Sequence, residues 1–195
     1  EASHAKKFLC PSSGITKNYK RSYSSIESEK RSGTEYLCLE STIFRDLSDK
    51  LRFNTNESLN QKKKSIMIIG RPLNSLRLLD ARGAFFLHKI QLEAKIINSL
   101  IFLGYDVKYK AHPEWAHVSK SVFANFGCEI ICIPFEKVWA SSDVFIFTTA
   151  TSSTFEFALS TSRAVVLINS KGNKWHEDCR SDLTKRCEII DYENE

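Results

Sequence analysis

A chain of 195 residues is long enough for one domain with a real core plus an arm, and too short for two full-sized domains. Its 42% hydrophobic and 26% charged residues are an ordinary soluble globular balance, and no run approaches the roughly 18 unbroken apolar residues that a membrane helix needs. The net charge of +5 sits entirely in residues 1–64, which hold 13 Lys and Arg against 8 Asp and Glu, whereas residues 65–195 balance.

Residues 1–64 are rich in Ser, Lys, Asn and Glu, with apolar residues gathered only at 8–10, 36–39 and 43–53. This pattern predicts a largely irregular basic arm with one or two short strands, a short helix near 41–51 and a linker over 54–64. A solvated surface is the first explanation of the basic excess, and contact with anionic lipid at a membrane periphery, nucleic acid or a phosphorylated substrate are the alternatives. Nucleic acid is not expected, because the rest of the chain is neutral and carries no aromatic-basic motif. The chain starts at Glu1 rather than at a methionine, so the arm reads as the remnant of, or linker from, a missing first domain.

At residue 65 the character changes. Residues 65–69 are an apolar run stopped by Gly70, Arg71 and Pro72, which reads as a buried strand followed by a loop and opens a domain over 65–195. Residues 84–103 repeat Phe86, Ile90, Ile97 and Leu100 at helical spacing, with His88, Gln91, Lys95 and Asn98 on another face and Gly104 placed to end the helix. A strand over 105–110 then delivers His112 and Pro113, and a helix over 115–126 precedes Gly127. Strands over 129–133, 143–148 and 165–169 alternate with helices over 135–141 and 153–161, the last strand being 165–169. Strands and helices alternating over such short connections predict an α/β, Rossmann-like parallel sheet with helices on both faces, preceded by the basic arm.

The cysteines Cys10, Cys38, Cys128, Cys132, Cys179 and Cys187 form no CxxC pair. They read as reduced, mostly buried thiols of a cytoplasmic protein, and no metal is expected, because the consecutive residues 176–179 do not converge easily on one ion.

Ligands of open parallel sheets bind beyond the carboxyl ends of the strands, which directs attention to three loops. The loop after residue 69 brings Arg71, Arg77 and Arg82. The loop after residue 110 brings His112, held by Pro113, as a donor toward a phosphate oxygen. Between strand and helix, Thr148, Thr149, Thr151, Ser152, Ser153 and Thr154 form a row of hydroxyls at a helix start, where backbone N–H groups favour an anion. Ser153 and Glu156 also have the spacing of a capping box, which satisfies the helix end without any ligand. Both readings stand, since the row holds more hydroxyls than a cap uses.

The segments YKAHP and SSDVFIFTTATSSTFEFALSTSRAVVLIN resemble the donor-binding domain of GT-B glycosyltransferases that carry an HP motif and a Ser/Ser or Ser/Thr motif. Bacterial polysialyltransferases, capsule glycosyltransferases and CDP-glycerol glycerophosphotransferases belong to this group. The resemblance covers residues 65 to about 170. It implies that His112, Thr151, Ser152 and Ser153, joined by Arg71, contact the donor phosphate. By the same resemblance Glu156 holds the ribose and the loop at Ile133 and Pro134 lies against the base. The substrate implied is a nucleotide-activated sugar or polyol phosphate for surface polysaccharide synthesis, with no separate cofactor and no metal. The acceptor and catalytic base belong to the missing domain, with His4 the sole remote candidate here, so no turnover is expected from this chain alone. A non-catalytic nucleotide or glycan-binding module is the alternative. The chain departs from the family pattern in two places: the usual Gly-x-Pro reads Ser162, Arg163 and Ala164, and the usual Asp-Tyr reads Ala150 and Thr151.

Overall fold

The computed structural model of the chain describes residues 7–10, 17, 35–38, 63–71, 83–150, 152–171, 175 and 177–193. The chain divides into two units, Glu1–Lys50 and Leu51–Glu195. In the first, strands β1 (Lys7–Cys10) and β2 (Glu35–Cys38) pair in parallel and fall on two of the apolar patches of the arm. The helix expected near 41–51 and most of the expected linker lie outside the described residues.

The second unit carries β3 (Ser65–Ile69), β4 (Asp106–Lys110), β5 (Glu129–Ile131), β6 (Val144–Phe147), β7 (Ala164–Ser170) and β8 (Glu188–Tyr192). They form one all-parallel sheet in the order β5-β4-β3-β6-β7-β8. The chain therefore enters at the centre, runs outward to β5, returns to β6 beside β3, and runs outward again to β8. This is the Rossmann-like strand order, and its direction of winding reverses between β3 and β6. Every residue of β3 is buried, as expected of a parallel strand covered on both faces.

The period of two in each strand divides the core into two halves. Ile66, Ile68, Val107, Tyr109 and Ile146 meet Ile97 of helix α1 (Gly83–Phe102) and Phe123 of helix α2 (Ala116–Phe123). The alternate residues Phe145 and Phe147 build an aromatic layer with Phe135 and with Phe155 of helix α3 (Ser153–Ser160). Phe157 of the same helix stands edge-on to Phe135, with ring centroids 5.6 Å apart.

The ends of the helices show how the predicted boundaries were met or missed. Gly104 ends α1 with φ 86°, and bonds from Gly104 N to Ile101 O and from Tyr105 N to Leu100 O close a Schellman motif, which needs a residue free to adopt the left-handed region. The helix expected over 115–126 is shorter: Pro113–Trp115 is a 3-10 turn and α2 spans Ala116–Phe123. Residues 135–141 form two 3-10 turns, Phe135–Lys137 and Trp139–Ser141, rather than an α-helix. The capping box expected at Ser153 and Glu156 does not form, because the cap falls one residue earlier: Ser152 is the N-cap of α3, its Oγ accepts from Phe155 N at 3.2 Å, and a phenylalanine stands where a box needs a glutamate.

At the other end of α3 no glycine is available, and Arg186 takes over. Its guanidinium donates to the carbonyl oxygens of Leu159 (2.8 Å), Ala158 (3.2 Å) and Thr161 at the helix end and of Arg163 (2.8 Å) in the turn beyond it. The turn at Ser162, Arg163 and Ala164 is thus closed by a distant side chain. The expectation that the strand at 165–169 is the last is also corrected, because helix α4 (Glu177–Thr184) and β8 follow it. Nor are the thiols mostly buried: of Cys38, Cys128, Cys132, Cys179 and Cys187 only Cys187 is buried, because the others lie at strand ends, in turns and on an exposed helix face.

Candidate functional site

The parallel register aligns Lys110, Ile69 and Phe147 across three neighbouring strands. Arg71, His112 and Thr149 each follow that row by two residues, so the loops carrying them leave the same edge of the sheet. With strands about 4.8 Å apart, the loops after β4 and β6 are separated by about 10 Å, with the loop after β3 between them. The β3–β6 pair is the switch point at which open α/β sheets form a crevice.

His112 is partly exposed and precedes the 3-10 turn, with Pro113 at its first position and no capping bond from its side chain. Ser152 spends a hydroxyl lone pair on the α3 cap, whereas Ser153 is exposed at the first helical position. The N–H groups of Ser153 and Thr154 have no acceptor within the helix and are available to an anion. Glu156 is exposed in the first turn of α3. Ile133 and Pro134 are exposed beyond β5, the outermost strand on that side, two strands away from β3. Thr151 lies outside the described residues. The structure therefore gathers Arg71, His112, Ser152 and Ser153 at one edge on adjacent strands, and sets Ile133 and Pro134 to one side of them.

Beneath this edge lies a buried polar cluster that the motifs do not announce. Glu93 of α1 is 1% exposed and accepts from the Tyr109 hydroxyl at 2.7 Å and from Thr148 Oγ1 at 3.3 Å, joining α1, β4 and β6. Gly70 passes directly over the tyrosine, and a Cβ there would stand 2.2 Å from Tyr109 Oη, so only glycine permits this approach. Burial pushes the Glu93 carboxyl up to about 7, opposed by the Tyr109 and Thr148 hydrogen bonds and then by the charges of Lys89 and Arg71. Burial pushes Lys89 down to about 8, with Arg71 adding to the shift and Glu93 opposing it. Arg71 is lowered by burial and supported by Glu93 and Tyr192. The Tyr109 hydroxyl is pushed well up by burial and by Glu93, and it stays a donor. A signal for Glu93 is present in the sequence: it falls on the apolar stripe of α1, three residues after Ile90 and four before Ile97.

A second polar chain lines the carboxyl ends of β7 and β8. Trp175 Nε1 donates to Asn169 Oδ1 at 2.9 Å, Asn169 Nδ2 donates to Asp191 Oδ1 at 2.8 Å, and Arg180 holds Asp191 with contacts of 2.6 and 3.3 Å. Between the two clusters the edge carries no group of three or more His, Cys, Asp or Glu placed to hold a metal among the described residues. No helix among them is long and apolar enough to cross a membrane. A shallow groove lined by Asn98, Ser99, Phe102 and Leu103 lies at the far end of α1, away from the crevice.

Comparisons with protein-family models, with curated proteins and with solved structures return no match.

Proposed function

We propose that this chain is the donor-binding domain of a GT-B-type transferase and takes a nucleotide-activated sugar or polyol phosphate at the carboxyl edge of its sheet. One observation carries the reading: Arg71, His112 and the α3 start at Ser152 follow three adjacent parallel strands at the switch point. Cationic and N–H donors gathered there meet the need of a phosphate leaving group, whose developing charge is stabilised electrostatically. The acceptor and the catalytic base belong to a second domain, so this chain binds donor without turning it over.

Thermal melting with CMP, CDP, UDP and GDP tests the reading. One nucleotide raises the melting temperature, by the equivalent of about 2.7 kcal/mol when present at a hundred times its Kd. His112→Ala, which removes no helix cap, weakens that nucleotide about tenfold through loss of a hydrogen bond to a charged group. Melting curves unmoved by all four nucleotides would overturn the assignment.

A further inference from the structure

Glu93 sits where a helix presents its apolar stripe, and a hydrocarbon side chain there would pack against the same strands without the cost of burying a carboxyl group. Its location gives the cost a use. Two hydroxyl donors fix it under the switch point, and it faces cations from two elements: Lys89, one turn earlier on α1, and Arg71, immediately after Gly70. Among the described residues, the other titratable groups around this cluster are Tyr109, Tyr192 facing Arg71, and Cys128 near Tyr109.

We propose that Glu93 is a positioning residue for an anion in the crevice: ionised, it draws the charges of Arg71 and Lys89 toward the floor, and by taking up one proton from solvent it yields them to the phosphate oxygens of a ligand. This inference rests on the reading of the carboxyl edge as a phosphate site. A carboxylate below and an anion above compete for the same cations, and nearby like charge raises the pKa of the carboxyl group further. Since burial already brings Glu93 to about 7, binding is linked to protons in the neutral range. A further rise of about one unit on binding corresponds to a tenfold change in affinity between the protonated and ionised forms.

Binding of UDP-glucose, CDP-glycerol and sulfate to the wild type and to Glu93→Gln between pH 5.5 and 8.5 tests this, because none of these probes changes its anionic charge in that range. The two proteins bind alike at pH 5.5, and the variant binds about threefold more tightly at pH 7.5 and nearly tenfold more tightly at pH 8.5. The ratio of the two affinities cancels pH effects of groups that do not sense Glu93, whereas Lys89, which the Glu93 charge supports, is lowered further in the variant and works against the expected gain at the highest pH. A ratio that stays constant with pH is the mark of a merely structural glutamate and overturns the inference, leaving the donor-site reading intact if a nucleotide binds. Sulfate binding that follows the expected ratio without nucleotide binding supports Glu93 and removes the nucleotide reading. No binding of any probe overturns both.

Two measurements keep the inference open to refutation if the glutamine variant folds poorly. Tyr109→Phe removes a bond to the ionised form and moves the midpoint of the wild-type binding profile to higher pH. Without ligand, the sign follows from a raised folded-state pKa: the Glu93 contribution to stability is complete below its ordinary value of 4.5 and is lost as pH rises through about 7. An unmoved binding midpoint in Tyr109→Phe, or no such stability loss in the wild type, overturns the proposal.

Discussion

The centre of the sheet and its β8 edge are held together by different forces. Every residue of β3 and three of the four in β6 are buried, so apolar packing on both faces secures them. None of the five residues of β8 is buried, and neither is any described residue of α4. That edge relies on its backbone ladder, from Val166↔Glu188 to Ser170↔Tyr192, and on the side-chain chain through Asn169, Asp191 and Arg180. Directional bonds serve where little apolar area can be removed from water. The contrast sets off Glu93, a buried carboxyl group placed among the apolar residues of the centre.

The largest effect that tests this contrast is expected at the centre. Phe145 is fully buried and its ring lies 5.0 Å from that of Phe135, so Phe145→Ala costs about 3–5 kcal/mol of stability in denaturant unfolding. A loss under 1 kcal/mol would show that the aromatic layer does not hold the sheet. At the boundary between packing and polar bonding, Ser152→Ala costs about 1 kcal/mol through loss of the α3 cap, while Ser153→Ala changes stability by a few tenths at most. Equal losses in the two variants would return the cap to the position that the S-x-x-E spacing suggests.

The smallest effect is expected at the edge. The Arg180 hydrogen bond, followed by that of Asn169, holds the Asp191 carboxyl below its ordinary range. Its contribution is therefore present above that range and is lost as pH falls through the lowered value. Asp191→Asn speeds amide exchange in β8 with little change in the global melting temperature, because local opening of an exposed edge is separate from global unfolding. A global destabilisation as large as that of Phe145→Ala would erase the distinction between the two regions.

The elements that bury apolar residues were legible before the fold was known. The strand at 65–69 matches β3 residue for residue, the helix read over 84–103 is α1 within one residue, and Gly104 ends it. Helix α4, with sequence EDCRSDLT, shows no apolar stripe, and β8, with EIIDY, is flanked by acidic residues, so neither carried the signal by which the others were found. At the candidate site, Arg71, His112, Ser152 and Ser153 were found because each follows a buried strand. Glu93 was passed over because a single charged residue on an apolar stripe is visible only when that stripe is followed residue by residue.

Local sequence determined the periodicities, the glycine-terminated helix and the order of strands and helices, since these depend on the backbone preferences and apolar spacing of a few consecutive residues. Tertiary structure decided which strands are neighbours, and so brought the loops after β3, β4 and β6 to one edge. It also decided that Arg186 closes the end of α3 and the turn after it from 23 to 28 residues away, and that Glu93 meets Thr148 across 55 positions. Such contacts depend on how the sheet winds, because side chains far apart in sequence meet only when parallel crossovers carry the chain back to the same edge.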